Sequence, residues 1–176
     1  MPSIDKIDFL IAESAVRQLH VRYADAVWRK DFAAFGDCFA IDCEWRIGGK
    51  IVRGRQNIVD SFTEIASHFN RILLTFRSPI LQVEGGTASA RTYVNEMTAR
   101  KDGGPSTAIG LYYELFADEG DRWRFKWRLW QTLYRGNADL AGTFFENADF
   151  GAPPAMPALD TEPPFIPGFP GQSTQS

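Results

Sequence analysis

TASARTYVNEMTARKDGGPSTAIGLYYELFADEGDRWRFKWRLWQTLYR (residues 87–135) contains three long runs, Thr87 to Lys101, Thr107 to Ala117 and Arg122 to Arg135, whose side chains alternate in character at every second position. Period two is the signature of a β-strand. The breaks between the runs, DGGPS at 102–106 and DEGD at 118–121, are glycine-bearing turns that join antiparallel neighbours. PILQV (79–83) and the turn EGGT (84–87) carry the same meander back to residue 79, and ILLTF (72–76) adds a further strand. Twist accumulates along strands of ten or more residues, so this sheet must curl.

Upstream of the meander the period changes. From Ile4 to about Arg29, apolar residues recur at Ile7, Leu10, Ile11, Ala15, Leu19, Tyr23 and Val27, the spacing of one long amphipathic helix with Ser3 as N-cap. Asp31 caps a short second helix with Phe32, Phe35 and Phe39 on one face, and a third from about Arg55 to Phe69 presents Ile58, Phe62, Ile65 and Phe69. Helices first and a curled sheet second is an α+β layout, in which the sheet wraps the long helix and leaves a cavity between them. The expected division is a domain over 1–150 and a tail over 151–176, whose seven prolines and GQSTQS ending suit a surface arm, lid or disordered segment.

A chain of 176 residues is long enough to bury a sizeable core. The aromatic share of 14%, with 14 Phe and 5 Trp, must be buried in that core or in a ring-lined pocket. A formal charge of −3 argues against nucleic acid as a partner, since phosphate binding needs clustered Lys and Arg. No apolar run reaches membrane-spanning length and the first residues carry no export signal, so the expectation is a cytoplasmic protein with no membrane partner. Cys38 and Cys43 read as two reduced buried thiols, and no His, Asp and Glu cluster has metal-ligand spacing, so neither a metal nor another cofactor is expected.

Five segments, in this order, carry a family resemblance: AVRQLHVRYADAVWRKDFAAFGDCFA (15–40), DCEW (42–45), GRQNIVDSF (54–62), VEGGTASA (83–90) and DRWRFKW (121–127). Together they resemble the nuclear transport factor 2-like superfamily, in the SnoaL-like branch that contains scytalone dehydratase and lindane dehydrochlorinase. The resemblance spans about residues 8–150. It implies a cone-shaped, curved antiparallel β-sheet wrapped around a long N-terminal helix, a conical pocket between them, and a homo-oligomer, dimer or trimer. The branch includes cofactor-free lyases, and also binders without activity. Its enzymes commonly pair an Asp on the first helix with a His on a strand. Those positions here read Trp28 and roughly Leu74, so any catalysis must use a different base.

The resemblance places the parity set Thr92, Val94, Glu96 and Thr98 toward the pocket. Glu96 would then be a carboxyl in an apolar chamber with a raised pKa, fit to act as general acid or base. A solvent-facing or dimer-facing glutamate is the alternative, because one β-bulge reverses the parity. Arg128 falls on the family's arginine position and could pair with Glu96 or stabilise a developing oxyanion. Tyr23 and Tyr112 could donate to a substrate oxygen. Trp28, Trp45 and Trp130 fall at pocket positions as flat walls, and ADLAGTFFENADFGAPP (138–154) resembles a segment that folds over the pocket mouth, making Phe144, Phe145 and Phe150 candidates for a lid. His20, His68 and Asp25 read as packing or surface residues.

The leading expectation is therefore a cofactor-independent lyase, with Glu96 as acid or base and Arg128, Tyr23 and Tyr112 as orienters. Its substrate is a hydrophobic aromatic or polycyclic small molecule that loses water, halide or a carbonyl fragment. The rivals are a non-catalytic small-molecule binding protein and an accessory subunit resembling the small subunit of ring-hydroxylating oxygenases.

Overall fold

The computed structural model describes residues 5–103, 106–138 and 143–144. In chain order the elements are α1 (Lys6–Arg29), α2 (Phe32–Asp37), β1 (Phe39–Ile47), β2 (Lys50–Arg53), α3 (Arg55–Ser67), β3 (Phe69–Phe76), β4 (Ile80–Glu84), β5 (Thr87–Arg100), β6 (Thr107–Asp118), β7 (Trp123–Gly136) and β8 (Thr143–Phe144). The meander expected over 79–135 is β4 to β7. Its central ladder, β5 against β6, runs without a slip from Thr87 opposite Ala117 to Met97 opposite Thr107.

The strands form one sheet in the order β2-β1-β7-β6-β5-β3, with β4 also on β5 and β8 also on β7. All pairings are antiparallel except β1 with β7, which is parallel. Curvature has a local cause: at two places along the β6–β7 ladder, between Ile109 and Gly110 and between Leu115 and Phe116, β7 holds one residue more than its partner. Each extra residue bends the strand and raises its twist. The result is a curved, unclosed, antiparallel-dominated sheet with α1 against its concave face, an α+β cone.

Helix α1 is capped by Asp5 and not by Ser3, the Asp5 Oδ1 accepting from the Ile7 N–H at 2.8 Å. Its buried stripe is Ala12, Val16, Leu19, Tyr23, Ala26 and Val27. The expected stripe is thus corrected at its start: Ile7, Leu10 and Ile11 are exposed (64%, 59% and 61%), because the first two turns run beyond the core. The helix ends at Lys30, a non-glycine residue with φ of 55°, held there because its Nζ reaches the carbonyls of Ala66 and Phe69. Asp31 caps α2 as expected, its Oδ1 accepting from Ala34 N–H at 2.9 Å. Phe39 opens β1 and Phe69 opens β3 instead of ending helices, yet Phe35, Phe39, Ile58 and Phe62 are all buried. Each such side chain adds about 1.5–3 kcal/mol. Cys38 and Cys43 are free and buried, and burial pushes their thiols up to about 11 and about 12. No helix among the described residues is long and apolar enough to cross a membrane. Phe145, Phe150 and the proline-rich stretch 151–176 lie outside the described residues, and with them the expected lid and tail.

Gly110 matters for a different reason than backbone freedom. It lies mid-strand in β6 beneath the Trp130 indole, and a Cβ there would fall 2.0 Å from the Trp130 Cη2. Gly110→Ala is therefore expected to lower stability by about 1–3 kcal/mol, the usual range for overpacking. Urea unfolding measures it, and Trp130→Leu in the same chain should recover most of the loss. An unchanged midpoint for the single variant would show that the ring does not rest on the glycine.

Candidate functional site

Between α1, α3 and the concave face lies a cavity of about 340 Å³. Six rings form most of its wall: Tyr23, Trp45, Phe62, Phe69, Tyr112 and Trp130. Val27, Ile47, Ile65, Ile72 and Leu74 fill the gaps, and the polar side chains are Glu96, Thr132 and Arg135.

The ladder explains who faces whom. Leu74 of β3 is the register partner of Glu96 of β5, Glu96 pairs with Ala108 of β6, and Ala108 pairs with Arg135 of β7. The next rows inward are Val94, Gly110 and Thr132, then Thr92, Tyr112 and Trp130. Trp130 donates from Nε1 to Thr132 Oγ1 at 2.9 Å, which fixes its plane over Gly110.

Glu96 is half-buried, and desolvation raises its pKa against the opposing pull of the Arg135 cation. The two phenols are shifted upward as well, chiefly by burial, and most strongly at Tyr112. Both therefore stay protonated donors across the working pH range.

Beneath the two tyrosines sits a fully buried ion pair. Glu114 Oε1 accepts from Arg128 Nε at 2.9 Å, and Arg128 Nη2 lies at 2.9 Å from the same oxygen. Glu114 Oε2 accepts from the Thr92 hydroxyl at 2.8 Å and lies 2.8 Å from His20 Nε2. Burial opposes the charge on Glu114, but His20, Arg128 and Thr92 overcome it and hold the carboxyl well below the usual range. The guanidinium lies against rings: its carbon is 3.7 Å from the Tyr112 centroid, 3.9 Å from Phe125 and 4.4 Å from Tyr23. Burial works against its charge too, and the face of the Tyr112 ring and the Glu114 carboxylate restore it.

Of the residues expected at a site, Glu96, Tyr23, Tyr112, Trp45 and Trp130 line the cavity. Arg128 is buried behind the phenols, paired with Glu114 and not with Glu96. Val94 is buried opposite Gly110, off the cavity wall. Thr98 is outside the cavity, its hydroxyl donating to the Ser106 carbonyl at 3.3 Å, because the strand has passed the cavity rim there. Trp28 is 45% exposed on the outer side of α1, under the Arg71 guanidinium, since the helix turns Tyr23 and Val27 inward instead. Phe144 is placed by backbone pairing with Tyr134, and Phe145 lies outside the described residues. Asp25 is exposed and paired with Arg29. Glu114 and Arg135 are the site residues that sequence reasoning missed. The first shares strand parity with Tyr112, a signal that was present; the second does not share parity with Trp130. Among the described residues no group of three His, Cys, Asp or Glu side chains converges as metal ligands would.

Comparison with known proteins gives a match of residues 8–128 to the SnoaL-like domain. No curated protein matches the sequence. Among solved structures, a candidate aromatic ring hydroxylase of Novosphingobium aromaticivorans is 26% identical, with a TM-score of 0.65 over 69% of this chain and 88% of that one. A candidate scytalone dehydratase of the same organism is 17% identical, with a TM-score of 0.68 over 77% and 93%. A hexachlorocyclohexane dehydrochlorinase, LinA type 2, is also 17% identical, with a TM-score of 0.70 over 85% and 99%. The likenesses at 17% identity carry the fold alone.

The two carboxyls should respond in opposite ways to loss of charge. Glu114, with its pKa depressed on folding, stabilises the protein above its unfolded pKa of about 4.3, and that contribution is lost as pH falls through the folded value. Glu114→Gln strands the Arg128 charge and is expected to cost about 3–5 kcal/mol at pH 7. Glu96, with its pKa raised, contributes stability below its unfolded pKa that disappears as pH rises through the folded value. Glu96→Gln is therefore expected to raise the melting temperature at pH 8 and leave it unchanged at pH 4. Thermal melts of Glu96→Gln across pH 4–8 and of Glu114→Gln across pH 2–7 read both signs, and a destabilised Glu96→Gln at pH 8 would contradict the assigned burial.

Proposed function

The chain belongs to the SnoaL-like domain family, and from that premise we propose that it is a lyase needing no cofactor, acting on a hydrophobic aromatic compound of one or two fused rings. A single observation carries this reading: a carboxyl with a raised pKa, Glu96, faces a ring-walled cavity of about 340 Å³. That volume is near the small end of ligand pockets. Leu74, roughly at the position where the resemblance implies a histidine, is the register partner of Glu96, which puts the proposed proton acceptor one strand across.

In the proposed reaction, ionised Glu96 takes a proton from a substrate carbon. The electrons of that C–H bond form a carbon–carbon double bond, and hydroxide or halide leaves the adjacent carbon with its bonding pair. Tyr23 and Tyr112, kept protonated by burial, donate to the substrate oxygen or to the leaving group, and proton donation makes hydroxide depart as water. Arg128 acts through the rings it lies on, lending positive potential to both phenols. Trp45 and Trp130 hold the flat substrate and exclude water.

A second, non-catalytic reading is favoured by the apolar residues at the family's usual dyad positions, Trp28 and Leu74, and by the likeness to a candidate aromatic ring hydroxylase. Here the cavity only holds an apolar guest, or the domain serves as an accessory subunit.

The test is incubation with hydroxylated and halogenated one- and two-ring compounds, no cofactor added, with mass spectrometry to detect loss of water or hydrogen halide. Glu96→Gln is expected to cut turnover at least about 100-fold while ligand still binds. In the wild type, kcat/KM should rise with pH through an ionisation above about 4.3, the ordinary glutamate value. Full turnover in a folded Glu96→Gln protein would remove Glu96 from the chemistry, and binding without any mass change would favour the second reading.

A further inference from the structure

Simple alternation along β7 would turn Arg135 away from the cavity. Arg128, Trp130 and Thr132 pair with Glu114, Tyr112 and Gly110 of β6, all on the concave side, so odd-numbered residues of β7 should face outward. The extra residue between Thr132 and Tyr134 breaks that rule. Beyond it, Arg135 pairs with Ala108, whose neighbour on β5 is Glu96, and Arg135 joins the cavity wall. Bulges re-aim side chains in this way beside functional sites.

What the bulge delivers is a cation without a counter-charge among the described residues. The Arg135 side chain is exposed at the cavity rim, and its guanidinium forms no hydrogen bond or ion pair with the described residues. Glu96 is felt only across space: no contact within 4.0 Å joins them, and their strands are two spacings, about 10 Å, apart. Between them stands Ala108, too small to fill the gap. Next inward is the Thr132 hydroxyl, which accepts from Trp130 Nε1 and keeps its own proton free to donate. Guanidinium is a fork of donors matched to a carboxylate, and at this rim none of the described residues occupies it.

The geometry points to an anionic substituent on the ligand: Arg135 selects aromatic compounds that carry a carboxylate at the rim end, with the ring body among Trp45, Trp130 and Tyr112. This rests on the cavity being the site proposed above and names the substrate class that it takes. It also orients the ligand. A carboxylate on Arg135 places the carbons next to it in front of Ala108, alongside Glu96.

Calorimetric titration with 2-naphthoate and its neutral isostere 2-naphthamide tests the selection without any turnover. The wild type is expected to bind the naphthoate at least tenfold tighter, with the preference shrinking as salt is raised from 50 to 500 mM. Arg135→Gln should bring the two Kd values together, and Arg135→Lys should keep part of the preference. Arg135 is exposed, so neither variant threatens the fold. Equal Kd values in the wild type, a preference that survives Arg135→Gln, or no binding of the naphthoate would each overturn the assignment. A naphthoate preference in a protein that turns over nothing would leave this inference standing and defeat the lyase reading.

Discussion

Glu114 and Arg128 carry opposite charges in a place with no access to water, and the surrounding side chains are arranged around the carboxylate. Removing two ions from water costs several kcal/mol each, which only close pairing and further hydrogen bonds offset. Those bonds come from separate parts of the chain: Thr92 from β5 and His20 from α1. His20 is the link with structural reach. Once its ring is fixed on Glu114, the helix has one rotation about its axis, and Tyr23 and Val27, three and seven residues on, must face the same side. They are the residues of α1 that wall the cavity. An ion pair buried behind the site thus sets the position of its inner wall.

Why there is a cavity at all follows from the size of the concave-facing residues along β6. From rim to base they are Ala108, Gly110, Tyr112, Glu114 and Phe116. Small residues at one end leave room, and large ones fill the other, where Phe116 and Phe125 stand with ring centroids 5.5 Å apart. Trp130 exploits the missing Cβ of Gly110 to lie flat, so that an indole becomes wall instead of filler. The high aromatic content divides accordingly: Phe35, Phe39, Phe116 and Phe125 are core, and Trp45, Trp130, Tyr23 and Tyr112 serve the cavity as well.

The fold was legible because its signals are local. Alternation across residues 87–135 and the glycine turns identify β5 to β7, and the unbroken β5–β6 ladder is why parity put Glu96 on the concave side. Boundaries at Phe39 and Phe69 shifted because an apolar residue at a helix end serves equally well as the first buried residue of a strand. Parity failed where geometry intervened. Nothing in RWRFKWRLWQTLYR announces the two extra residues of β7, so the inward turn of Arg135 could not be read from it. Glu114 was visible as a face-mate of Tyr112, but its partner His20 lies 94 residues away, and no periodicity connects them. Trp28 was read through resemblance, and the helix rotation set at His20 leaves it outside.

The two sets of charges at and behind the cavity differ in a way that separates architecture from function. Glu114 and Arg128 are in contact, bonded further by Thr92 and His20, and give the fold a fixed interior. Glu96 and Arg135 face the same cavity and are held apart across Ala108, one with its charge disfavoured by burial and the other without an acceptor among the described residues. A fold under selection for stability alone would gain by joining them or by replacing Glu96 with an apolar residue. Keeping an uncompensated carboxyl and a guanidinium that no described residue engages on one row of a ring-walled chamber makes sense when a ligand completes the set: it brings an anion for Arg135 and the proton that Glu96 can take.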